Sequence, residues 1–135
     1  MTYNHFKVYS SVIIFMITVV EIETFLKDFK YKLDFWGVLF QNRMDRKNFD
    51  TLTALELHVP DVKRILKTLR ATDYSEGPRK DIVYNGADLW VFGKTIKKEE
   101  VYIKITMGQP GDKVICISFH FAEYAMLYPF KKQIT

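Results

Sequence analysis

Residues 101–121 read VYIKITMGQPGDKVICISFHF, and this stretch decides the fold. Successive side chains of a strand point to opposite faces. Val101, Ile103 and Ile105 therefore share one face, and Tyr102, Lys104 and Thr106 share the other. Past the Gly108–Lys113 gap, Ile115, Ile117, Phe119 and Phe121 form a second apolar set. Cys116, Ser118 and His120 oppose it. Upstream, Leu89–Ile96 continues the period of two. Three strands follow: Leu89–Ile96, Val101–Met107 and Val114–Phe121. The gaps between them are short, which predicts an antiparallel meander.

Further upstream the period is 3.6. Ile22, Phe25, Leu26, Phe29 and Leu33 recur at helical spacing, so a helix is expected over Val19–Leu33. Thr18 and Glu21 form a capping box at its start. Val38–Phe40 reads as either a short strand or an extended connection. Phe49, Leu52, Leu55 and Leu57 predict a second helix, with Asn48 as its cap. Pro60 opens a third, in which Val62, Ile65, Leu66 and Leu69 line one side. Lys63, Arg64, Lys67 and Arg70 then form a solvated surface. DYSEGPRK (Asp73–Lys80) reads as a turn or loop, because Gly77 and Pro78 punctuate it. The expected fold is α+β: N-terminal helices packed on one face of a three-stranded, or slightly larger, antiparallel sheet.

The chain has 135 residues, a net charge of +4, 48% apolar residues and one cysteine. That suits one domain with a core, and the charge permits a polyanionic partner without demanding one. His5, His58, Cys116 and His120 lack metal-ligand spacing, so no metal or other cofactor is expected. The run Val12–Ile17 is shorter than the roughly 20 residues that span a bilayer. It also lacks a small-residue cleavage site, so neither a membrane partner nor export is expected. The lone cysteine fits a reducing cytoplasm. Residues 16–132 read as a single domain. Residues 1–15 are either an upstream extension, Met16 being the true start, or an added edge strand built on Val12–Phe15.

The apolar sets must meet the helices, which places Tyr102, Lys104, Ser118 and His120 on the open face. A β-bulge would break this grouping. On the first strand, Leu89 and Val91 suit the buried side and leave Trp90, Phe92 and Lys94 outside. The two aromatics would stack on nucleobases or lie under Met126–Phe130. Taken singly, His120 is more often a structural histidine, and Lys104 is either exposed or serves an anion. Together, an acid or base, a phenol and two cations suit phosphodiester chemistry. In RNA the 2′-hydroxyl can attack the adjacent phosphorus, given a base, a cation and an acid, with no need of a metal. A non-catalytic RNA- or protein-binding module, or an oligomer interface, would use the same face.

Four blocks carry a resemblance: DYSEGP (73–78), WVFGK (90–94), EVYIKIT (100–106) and VICISFH (114–120). Over about Met16–Lys131 the chain resembles MqsR-type toxins of bacterial type II toxin–antitoxin systems. It is most similar to a divergent branch with an SFH-x-AE block near the C-terminal end. The resemblance implies a RelE-like fold and a ribosome-independent endoribonuclease, or mRNA interferase. It also implies single-stranded mRNA as substrate and a cognate antitoxin protein as partner. The family's tyrosine matches Tyr102, and the lysine two positions on matches Lys104. The family's lysine after Ser-Phe falls on His120, which can also transfer a proton. A family lysine falls near Glu76, of opposite charge, and a family glutamine falls on Val91. Lys94 is the expected compensation for the first. Strand alternation and the resemblance together give a candidate catalytic set of Tyr102, Lys104 and His120, of which the resemblance carries Tyr102 and Lys104. Lys94, Trp90 and Phe92, read from the first strand, are the candidate RNA contacts.

Overall fold

Thr18 and Glu21 close the expected capping box: the Thr18 hydroxyl accepts from Glu21 N at 3.1 Å, and Thr18 N donates to the Glu21 carboxylate at 2.8 Å. They start α1 (Val19–Trp36) in a computed structural model that describes residues 17–41 and 44–131. The readings of residues 1–15 lie outside the described residues. Ile22, Leu26, Phe29 and Leu33 are the buried side of α1, each contributing roughly 1.5–3 kcal/mol by leaving water. Gly37 ends the helix at φ +88°, with its N–H on the Leu33 carbonyl. That positive φ favours glycine.

The remaining elements are β1 (Val38–Phe40), α2 (Lys47–Leu55), α3 (Val59–Leu66), a 3₁₀ turn at Ala71–Asp73, β2 (Tyr74–Arg79), β3 (Leu89–Ile96), β4 (Glu99–Thr106) and β5 (Val114–Phe121). The chain is α+β, with helices preceding a five-stranded sheet of order β1-β5-β4-β3-β2. The sheet is larger than three strands, as the expectation allowed, and it is mixed rather than wholly antiparallel. Val38–Phe40 is a strand and runs parallel to β5, while the other neighbours are antiparallel. Residues 74–79, expected as a loop, form an edge strand. An edge tolerates Pro78, whose missing N–H costs no ladder bond on the solvent side.

Two face assignments change. On β3, Trp90, Phe92 and Lys94 oppose Ile105, Ile103 and Val101, the set that faces the helices. Trp90 stacks on Phe25 of α1 with ring centroids 4.2 Å apart, and Phe92 is fully buried. Leu89, Val91 and Gly93 take the other face. The reason is position: β3 lies inside the sheet, and Trp90, Val91, Phe92 and Gly93 are all buried. A strand covered on both sides offers no polarity contrast, and the bulkier aromatics fill the deeper core.

On β5 the open-face grouping survives for Ser118 and His120, which pair with Lys104 and Tyr102. Between Lys104 and Ile105 the register slips by one residue, so Cys116 pairs with Ile105. This is a β-bulge on β5 at Ile117. Cys116 consequently enters the core, whereas Ile115 and Ile117 turn to the open face and line a groove there.

Asn48 holds the bulge. It lies within α2 rather than capping it, and it is fully buried. Its amide donates to the Ile117 carbonyl at 2.9 Å and to the Gln41 carbonyl at 3.0 Å. Its oxygen accepts from Phe119 N at 2.9 Å. Thr51, one turn on, accepts from Phe121 N at 3.3 Å. Helix side chains thus take over the edge of β5 where the three-residue β1 stops, satisfying groups that burial would otherwise leave unpaired.

Candidate functional site on the open sheet face

Strand register lays the open face out in rows. Gly93, Tyr102 and His120 are directly opposed across β3, β4 and β5. The next row is Glu76, Val91, Lys104 and Ser118, and the one after it Arg79, Leu89, Thr106 and Ile115. Tyr102, Lys104 and His120, expected together, are together.

The Tyr102 and His120 rings stack with centroids 5.2 Å apart and planes 11° from parallel. His120 is only 8% exposed. Its Nδ1 lies 3.0 Å from the Phe121 carbonyl. A carbonyl can only accept, so this contact places the ring proton on Nδ1 and leaves Nε2 with a lone pair in the neutral ring. Tyr102 is half-buried, and the Arg79 guanidinium lies near enough to favour its ionised form by charge and hydrogen bonding. Burial holds the Tyr102 phenol above its ordinary pKa; Glu76 adds to this and Arg79 opposes it. Tyr102 is therefore a protonated donor at neutral pH, not a base. Arg79 is also ion-paired with Glu76 at 3.1 Å.

Arg79 is a candidate residue of this face that the sequence reading does not reach. Reading residues 73–80 as a loop gave it no face. Its signal is the spacing from Glu76 across Gly77 and Pro78 on an edge strand. Lys94, expected as the replacement cation, is on the helix side. Its ammonium lies 3.0 Å from the Asp73 carboxylate and 3.2 Å from the Thr68 carbonyl. Lys97 similarly reaches the Leu55 carbonyl at 2.6 Å, so both lysines satisfy chain just beyond or at a helix end. Trp90 and Phe92 are core residues on the helix side: Phe92 is fully buried, and Trp90 borders a separate cavity between α1, β2 and Phe130.

The chain after β5 crosses this face. Ala122 N donates to the Glu100 carbonyl at 2.9 Å, and Lys47 of α2 holds Glu123 at 2.6 Å. Tyr128 donates to the Glu100 carboxylate at 2.7 Å. Its hydroxyl oxygen would collide with a Cβ at residue 93, so Gly93 is the recess in which Tyr128 seats. Phe130 packs against Tyr74 at 5.9 Å. Met126–Phe130 thus borders the site without covering Trp90 and Phe92 from that side.

Below the Lys104 row the face changes character. Ile115, Ile117, Leu89 and Leu39 line a groove of about 750 Å³, and Val83 and Tyr84 of the β2–β3 loop wall it. Cys116 beneath is fully buried, and burial pushes its thiol pKa far up, so it is no nucleophile. Among the described residues no group of three or more His, Cys, Asp or Glu is placed to hold a metal. No described helix is long and apolar enough to cross a membrane.

No protein family matches this chain, and no curated protein or solved structure matches it.

Proposed function

We propose that this protein is an endoribonuclease that cleaves single-stranded mRNA at the Tyr102–His120 face without a metal. In this reading it is the toxin of a type II toxin–antitoxin pair, acting in the cytoplasm. The antitoxin partner and the MqsR-type assignment rest on the four sequence blocks. The observation that carries the chemistry is the stacked Tyr102–His120 pair beside Lys104 on one sheet face.

The step balances with these groups. His120 Nε2 takes the proton of a ribose 2′-hydroxyl, and the 2′-oxygen bonds the adjacent phosphorus. The bond from phosphorus to the 5′-oxygen breaks, and the Tyr102 phenol protonates that oxygen. Arg79 and Lys104 offset the charge of the phosphorane. The products are a 2′,3′-cyclic phosphate and a 5′-hydroxyl. DNA lacks the attacking group and stays intact.

The test is a time course on labelled single-stranded RNA and matched DNA in EDTA. RNA alone should be cut, and His120→Ala should slow cutting by about a thousandfold, within the usual range for an acid–base group. Unchanged cleavage in the His120→Ala, Lys104→Ala double variant would falsify the site. One observation favours a second reading. His120 is 8% exposed, as suits a structural ring supporting Tyr102. The face would then bind RNA, with salt sensitivity, and yield no product.

A further inference from the structure

We propose that the groove below Lys104 is a nucleobase subsite, taking one unstacked base of single-stranded RNA whose phosphate rests on the Tyr102, Arg79 and Lys104 patch. The inference rests on the reading above and deepens it. Continuity is the first argument. Lys104 and Thr106 line the groove, and Lys104 is also the centre of the charged row, so a phosphate there delivers its base to the apolar side.

Chemistry is the second argument. A base has two apolar faces and polar edges. Ile115, Ile117 and Leu89 form an apolar floor, and Tyr84 stands at the wall, 78% exposed. Bases in single-strand recognition stack on such rings. Gln41 and Gln109 also line the groove and can pair with a base edge.

Charge is the third argument, and it separates a nucleotide from an apolar peptide. The groove's rim carries Lys104, with Arg79 one row away. Asp81 lines it too, in the β2–β3 loop, where its carboxylate accepts from Tyr84 N at 3.0 Å, and Arg79 is ion-paired with Glu76. Lys104 stands at the opposite, strand end of the groove, so a nucleotide would use both parts, its phosphate at Lys104 and its base on the apolar floor. A duplex keeps its bases paired and stacked, so the groove selects single strands.

The test uses the full chain and two short 2′-O-methyl oligonucleotides, which lack the attacking hydroxyl. One carries every base, and its partner has an abasic central position. By fluorescence anisotropy the abasic form should bind about tenfold more weakly, the size of one base–aromatic stack. Tyr84→Ala, on an exposed loop, and Ile117→Thr should each erase most of that difference and leave abasic binding unchanged. Equal affinity of the two oligonucleotides for the wild type overturns the subsite, as does a difference that survives both substitutions. RNA cleavage alongside equal affinities would overturn the subsite and leave the catalytic reading standing. Failure of both oligonucleotides to bind overturns both readings.

Discussion

The two halves of the open face are built from the same strands, yet one is polar and the other apolar. Above the bulge, β4 and β5 present Tyr102, Lys104, Ser118 and His120. Below it, β5 presents Ile115 and Ile117. A slip of one residue exchanges a strand's outward set for its inward set. With uninterrupted pairing, Ile115 and Ile117 would be in the core and Cys116 outside. One extra residue thus sets an apolar groove against a charged patch, and the device that holds it is a helix side chain, Asn48.

The largest effect on stability should come from breaking that device. Asn48→Ala leaves Phe119 N and the Ile117 and Gln41 carbonyls without their partner. Each buried group left unpaired costs about 1–3 kcal/mol. Part of this is recovered by relaxation, so a loss of about 3 kcal/mol is expected in urea unfolding. A loss below about 0.5 kcal/mol would mean that strand pairing alone sets the bulge, and that the two halves do not depend on α2.

A second substitution separates the halves. Gly93→Ala drives a methyl group into the Tyr128 hydroxyl and should displace the tail beside Tyr102. Overpacking of this kind costs about 1–3 kcal/mol. In a Tyr128→Ala background the same change should cost little, since the clash is gone. The tail should become sensitive to protease in Gly93→Ala, while base-dependent binding in the groove, which begins one row away at Lys104, stays as in the wild type. Equal costs in both backgrounds would show that Tyr128 does not fill the recess.

These residues also explain what could be read from the sequence. The helices were legible because α1 has one wet side and one dry side, and Thr18 and Glu21 mark its start. The grouping of Tyr102, Lys104, Ser118 and His120 was legible because β4 keeps strict alternation and the bulge falls beyond Ser118. Ile115, Ile117 and Cys116 were misplaced because their register depends on Asn48, about 70 positions away in the chain. Trp90, Phe92 and Lys94 were inverted because β3 is covered on both faces there. Arg79 was missed because an edge strand interrupted by Gly77 and Pro78 has the local signature of a turn.

The smallest expected effect tests whether Arg79 belongs to the polar half. Burial holds the Tyr102 phenol above its ordinary pKa, Glu76 raises it further, and Arg79 lowers it by charge and by hydrogen bond. Arg79→Gln removes the lowering influence and also frees Glu76 from its ion pair. Both changes act in one direction, so Tyr102 should ionise at a higher pH than in the wild type. The ¹³Cζ shift of labelled tyrosine, followed through an alkaline titration, reads this directly. Linkage adds a second readout. Unfolded tyrosine ionises near pH 10. Below that pH both states hold the proton, and the contribution of Tyr102 to stability is fully present. Above it the unfolded chain gives up its proton first, so this contribution falls until the folded phenol also ionises. Arg79→Gln should extend that fall to higher pH. An unchanged or lowered Tyr102 titration would separate Arg79 from the phenol and leave Lys104 to meet the phosphate alone.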